Sequence, residues 1–120
     1  MKIVHAQIYP LSIPLIEPIK MSGETVCFAK TVLLGLKNNF GRTGWGEASA
    51  APLMTGETIE SLSANIKYLA GNTKDLNWDN PDEYGQQLGK LLYANSSAKS
   101  CVEMALLDLY TQEKGIPLWR

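Results

Sequence analysis

The segment CFAKTVLLGLKNNFGRTGWGEA, residues 27–48, constrains the fold more than any other part of the chain. Residues 27–37 are the most apolar strand-like run. The NNFG at 38–41 supplies a hairpin turn, because asparagine and glycine tolerate positive φ. RTGWGEA then returns as a partner strand. Gly44 and Gly46 flank Trp45, so the backbone is expected to run close to another element there. The hairpin is extended on its other side by residues 2–15, KIVHAQIYPLSIPL. There Val4, Ala6 and Ile8 alternate on one face, and Tyr9, Leu11, Ile13 and Leu15 occupy the other. That change of phase, with Pro10 and Pro14, predicts a bulge in an edge strand. Residues 16–26 mix proline, glycine, serine and charge without a sustained period and read as a loop. Three strands in sequence make an antiparallel meander.

The second half has helical spacing. Ile59, Leu62, Ile66 and Leu69 define a first helix, with Gly71 as its expected stop. Asn80-Pro81-Asp82-Glu83 is a helix start: a capping asparagine, proline at the first position and two acids in the first turn. Tyr84, Leu88, Leu91 and Leu92 follow on one face. A third helix begins near Ser97 and carries a wide apolar stripe of Ala98, Cys101, Val102, Ala105, Leu106 and Leu109. Gly115 and Pro117 end it. Sheet first and helices after gives an α+β class, a three-stranded antiparallel meander followed by a helical bundle.

At 120 residues the chain is one domain with a single core. A net charge of −1 leaves no electrostatic footprint for nucleic acid. No apolar run reaches the length of a membrane span, and Pro10, Pro14 and Pro18 break any signal-peptide core. A soluble cytoplasmic protein is the expectation. Cys27 and Cys101 fit no metal or redox spacing and read as reduced, mostly buried thiols. His5, the single histidine, has no ligand pattern around it.

Candidate chemistry is sparse. Glu47 lacks a neighbouring histidine, lysine or serine to orient it, and reads as a carboxylate bonded to nearby backbone or a basic side chain. Glu57 sits where the first helix begins and is favoured there by the helix dipole. Glu103 reads as a solvated position; Asp108, inside ALLDLY, reads as partly buried and paired. There is no phosphate loop, nucleophile elbow or metal-ligand cluster. The residues alone contain no active site.

Taken together, the three strands, GWGEA, TGET (55–58) and SSAKSCVEMALLDLYTQEKGIPLWR (96–120) resemble a known family. The chain resembles the N-terminal capping domain of the enolase superfamily, in its muconate-lactonizing-enzyme subgroup, and within that the dipeptide epimerases. The resemblance implies that residues 1–120 cap the mouth of a (β/α)₈ barrel following Arg120, which then reads as a cut point. It also implies that the barrel, through lysines and a carboxylate-bound Mg²⁺, performs the proton transfer at the substrate's α-carbon. A dipeptide substrate and a homo-oligomer are implied as well. The catalytic residues and metal ligands would then all lie outside this chain.

The same resemblance makes residues 16–26 and 49–56 lid loops that exclude water and choose the substrate. Ile19, Glu24 and Met54 fall where specificity residues lie in dipeptide epimerases. Relatives acting on acidic dipeptides can carry arginine at the place of Glu24, so the charge reversal here implies a preference for neutral or cationic dipeptides. Succinylbenzoate synthesis, muconate cycloisomerisation and N-acylamino-acid racemisation are alternatives within the superfamily. A free-standing α+β module that binds a partner through its sheet or an apolar helix face is an alternative of another class.

Overall fold

The computed structural model describes the backbone of residues 1–21, 24–52, 55–74 and 76–116, and their side chains except for 13–29. Three strands, β1 (Ile3–Met21), β2 (Glu24–Asn38) and β3 (Thr43–Ser49), form an antiparallel sheet in the order β1-β2-β3. The meander is as the sequence predicts. On β2, Val32, Leu34 and Leu36 are fully buried on one face, while Lys37 is exposed on the other. The turn after β2 is built on Asn38, itself buried. Its Oδ1 accepts from the Phe40 and Arg42 N–H groups at 3.0 and 3.1 Å, and Gly41 supplies a φ of +82°.

Of the expected loop at 16–26, residues 16–21 and 24–26 are instead strand: Ile19 pairs with Val26, Lys20 with Thr25 and Met21 with Glu24. A backbone ladder needs no side-chain period, and β1 is an edge strand, where prolines lacking an N–H are tolerated. The absence of a period therefore misleads here. One irregularity does fall by Pro14, where residues 15–18 of β1 stand against residue 27 of β2. Pro10 pairs regularly with Val32, and the other shift lies between Ile3 and His5. Val4 is the extra residue and is 50% exposed, so it does not share the face of Ala6 and Ile8; Ile3 takes the inner place.

Helix α1 (Ile59–Thr73) starts with a reciprocal cap: the Ser61 N–H donates to Thr58 Oγ1 at 3.0 Å, and the Thr58 N–H donates to Ser61 Oγ at 2.9 Å. Leu62, Ile66 and Leu69 are buried as expected. Gly71 does not stop the helix, which runs on to Thr73 with Lys74 still right-handed. A glycine ends a helix by taking positive φ, and Gly71 stays helical. Asn80 caps as predicted, but Pro81–Glu83 form a single 3₁₀ turn ahead of α2 (Tyr84–Leu91). Leu92 lies beyond α2 in extended conformation, so only Tyr84 and Leu88 are fully buried from that face. Trp78, which no periodic pattern marks, is wholly buried. Its Nε1 donates to the Thr73 carbonyl at 2.9 Å, and the Tyr84 hydroxyl donates to the Trp78 carbonyl at 2.6 Å. Helix α3 (Ser96–Lys114) buries its predicted stripe and ends at Gly115, φ +66°, where the Ile116 N–H reaches the Thr111 carbonyl at 3.0 Å.

The helices cover one face of the sheet, and α3 lies along β3. Their approach is so close that a Cβ on Gly46 would stand 2.0 Å from the Cys101 carbonyl oxygen, and one on Gly44 2.3 Å from that of Ala105. Only glycine fits at either place. Side chains of α3 also satisfy the open edge of β3. Asp108 Oδ2 accepts from the Trp45 N–H at 2.9 Å, and Gln112 Nε2 donates to the Thr43 carbonyl at 2.9 Å. The opposite sheet face carries Tyr9, Leu11, Trp45 and Glu47, all exposed. Among the described residues no helix is long and apolar enough to cross a membrane.

Candidate functional site

β3 accompanies β2 only from Lys37 back to Thr31, where it ends at Ser49; the β1–β2 pair continues past that point to Met21 and Glu24. The chain leaving β3 is tied to this margin, the Ala50 N–H donating to the Lys30 carbonyl at 2.8 Å. It then makes a short return. The Ala51 N–H donates to the Glu57 carbonyl at 3.0 Å, and the Thr55 N–H donates to the Ala51 carbonyl at 2.9 Å. Thr55 Oγ1 in turn accepts from the Glu57 N–H at 3.2 Å, and Gly56 passes the corner with φ +77°. Because α3 runs antiparallel to β3, its first turn also arrives here. One end of the sheet thus gathers the long β1–β2 ribbon, the 51–57 return and the starts of α1 and α3.

At the centre of this end is Glu57, only 4% exposed. Its Oε1 accepts from the Ser97 N–H and its Oε2 from the Ala98 N–H, both at 3.1 Å. Ser97 and Ala98 are the second and third residues of α3, whose own flanking residue Asn95 is left-handed and gives no side-chain cap. Glu57 therefore does the work of an N-cap from 40 residues upstream. The helix N-terminus it serves is that of α3. The expectation that it serves α1 is corrected: Thr58 and Ser61 already cap that helix.

Ile19 and Glu24 lie on the β1–β2 ribbon, Ile19 opposite Val26 and Glu24 opposite Met21; their side chains are outside the described residues. Met54 lies outside the described residues altogether, as does the side chain of Cys27. What the backbone does establish is that the segment carrying Ile19 and Glu24 and the return from Ala51 to Glu57 belong to the same end of the sheet.

The remaining candidates form no catalytic set. Glu47 is exposed and among the described residues makes no hydrogen bond or ion pair to backbone or a basic side chain; it stands at the rim of a cleft of about 250 Å³ lined by Ala48, Ser49, Ser96, Ser97 and Ser100. No histidine or lysine among these could share a proton with it. Glu103 is half-buried, its carboxylate 3.5 Å from where a Cβ on Gly85 of α2 would lie, so it is less solvated than expected. Asp108 is half-buried and bonded, as predicted. Burial, with the charge of Glu47 adding to it, pushes the Cys101 thiol up to about 12, which leaves it un-ionised and inert at neutral pH. Among the described residues no three acidic, histidine or cysteine side chains converge as metal ligands, so they do not fit a Mg²⁺ ion.

Residues 3–120 match the family of the mandelate racemase / muconate lactonizing enzyme N-terminal domain. The chain belongs to that family. It is 32% identical to the L-Ala-D/L-Glu epimerase of Bacillus subtilis, over 100% of this chain and 33% of that protein. With the o-succinylbenzoate synthase of the same organism it shares 33% identity, over 92% of this chain and 30% of that protein. A crystal structure of the dipeptide epimerase from Cytophaga hutchinsonii, complexed with Mg and D-Ala-L-Val, superposes with a TM-score of 0.92. It is 28% identical, covering 99% of this chain and 32% of that one. The chain thus spans about a third of the length of the relatives it matches. The fold is that of an enolase-superfamily N-terminal domain, and the α+β capping architecture implied by GWGEA and the third helix is the one observed.

Glu57 is the residue that sequence reasoning misplaced. The stretch TGETIES (55–61) does contain a signal: two capping-competent residues, Thr58 and Ser61, already serve α1, which leaves the preceding glutamate available for another partner. The partner itself, some 40 residues away, has no local mark.

Proposed function

We propose that this domain is the substrate-selecting lid of a Mg²⁺-dependent dipeptide epimerase whose barrel lies in the rest of a longer chain. In that reading the barrel moves a proton at the dipeptide α-carbon, and the lid closes over the barrel mouth. One observation carries it: the ribbon bearing Ile19 and Glu24 and the return ending at Glu57 converge on one end of the sheet, as a lid needs. The kinship with dipeptide epimerases supports the reaction class. We assign the substrate's side chain to a pocket formed by Ile19, Glu24 and Met54.

Glu24 sets the direction of the preference. A carboxylate facing a cationic side chain at about 4 Å gains roughly 4 kcal/mol at an effective dielectric of 20. A quarter of that, after solvent screening, is about a fivefold preference. The full-length protein should therefore exchange the α-hydrogen of neutral or cationic dipeptides in D₂O with Mg²⁺, and act more slowly on L-Ala-L-Glu. Absence of α-deuteration with every dipeptide would refute the epimerase assignment. An unchanged ranking of acidic against basic dipeptides in Glu24→Arg would refute the role of Glu24. The second reading, lid of a succinylbenzoate synthase, is favoured by the 33% identity to that enzyme and predicts dehydration of its substrate with no dipeptide exchange.

A further inference from the structure

We infer that Glu57 is a positioning residue for substrate choice: its carboxylate fixes the 51–57 return against α3 and thereby sets the shape of the lid. The inference rests on the reading of the domain as a lid, which it deepens. Glu57 ends the return, closing it through the Ala51 N–H to its carbonyl and through its own N–H to Thr55 Oγ1. The same residue is bonded by both carboxylate oxygens to the second and third amides of α3. The return has no other hydrogen bond to α3 among the described residues. α3 is itself packed closely against β3, where Gly44 and Gly46 bring the helix backbone up to the strand. The described residues of the return are thus tied to α3 through one side chain.

Truncation at 57 removes the return's hydrogen bonds to α3 while leaving Thr58 and Ser61 to cap α1. What changes is where the return sits over the barrel mouth, which acts on binding and discrimination more than on the chemical step. The test uses the full-length protein, Glu57→Ala and Glu57→Gln, and the two dipeptides that the wild type distinguishes most strongly. In Glu57→Ala the ratio of the two kcat/KM values should shrink at least fivefold, mainly through KM of the preferred dipeptide, with kcat within about twofold. Glu57→Gln, which keeps one acceptor oxygen, should recover part of the ratio.

A merely structural role lowers the amount of folded enzyme and scales both substrates equally. An unchanged ratio in Glu57→Ala therefore overturns the inference, whether or not the rates fall. Should the wild type turn over no dipeptide, the epimerase reading fails, and amide hydrogen exchange on the same proteins decides this one separately. Selective loss of protection at Ala51, Thr55 and Gly56, with α1 unaffected, supports positioning; retained protection there overturns it.

Discussion

Alanine in place of glycine should act with opposite sign at two positions of this chain. At Gly46 the new Cβ would stand 2.0 Å from the Cys101 carbonyl oxygen and 3.0 Å from its carbon. Carbon–oxygen contacts become tolerable near 3.3 Å, so β3 and α3 must part by about 1.3 Å. A gap of 0.5–1 Å already forfeits roughly a quarter to a half of the dispersion energy of each contact across it. That loss falls on buried side chains at the seam, such as Leu109, whose Cγ would lie 2.7 Å from a Cβ on Gly44. The expected loss is about 3 kcal/mol, at the upper end of overpacking effects and a large part of a typical domain's stability.

At Gly71, inside α1, a Cβ would meet nothing within 4 Å. There alanine reduces only the freedom of the unfolded chain, and a gain of about 0.4–1 kcal/mol is expected. Urea unfolding of the 120-residue chain, followed by far-ultraviolet circular dichroism, separates the two. The midpoint for Gly46→Ala should fall by about 1.5 M, and that for Gly71→Ala should rise by a few tenths. A Gly46→Ala midpoint within about 0.3 M of wild type would refute the claim that backbone contact at Gly46 sets the spacing between β3 and α3.

Asp108→Ala leaves the Trp45 N–H without its acceptor and should cost about 1–2 kcal/mol in the same assay, with Asp108→Asn retaining roughly half of the difference. An Asp108→Ala midpoint equal to wild type would mean that water replaces the carboxylate without cost. Asp79 gives a pH dependence. The hydrogen bond from the Met1 ammonium, helped by that of Asn77, holds its carboxyl below the ordinary aspartate value of 3.8. A depressed folded value adds stability at pH above 3.8 that disappears as pH falls through the folded value. Wild type should therefore exceed Asp79→Asn between pH 5 and 7 by a margin that vanishes in stronger acid; an equal margin at every pH would refute the pairing. Thr58→Ala removes one half of the α1 cap and should cost about 1 kcal/mol in urea, leaving the Glu57 contacts to α3 in place.

Much of this fold was legible because its determinants are local. Alternation on β2, the turn chemistry of Asn38 and Gly41, and the apolar stripe of α3 are each written within a few residues of where they act. The sequence misled where a local sign has two meanings. Gly71 looks like a terminator, yet an exposed glycine inside a helix costs only about 1 kcal/mol, which the burial of Leu69, Ala70 and Thr73 around it offsets. Residues 16–26 look like a loop, yet an edge ribbon can pair through its backbone alone. Trp78 lies in a polar segment without period and is placed by hydrogen bonds to Thr73 and from Tyr84. The specificity role proposed for Ile19, Glu24 and Met54 comes from family likeness and not from any pattern in the residues themselves.

Glu57 shows why the candidate site was harder to read than the scaffold. A buried carboxylate is costly unless it is bonded, so the residue type at 57 predicts that donors must exist. It says nothing about which helix supplies them. Once α3 is locked along β3 by two glycines, its first turn has free N–H groups at the very end of the sheet where the return emerges. Asn95, left-handed, gives them no side-chain cap, and the carboxylate that bonds them is that of the residue closing the return. The arrangement thus follows in sequence from Gly44 and Gly46, through the fixed position of α3, to the donors that Glu57 completes. The position of that first turn is thus set, at a distance, by the residues with no side chain at all.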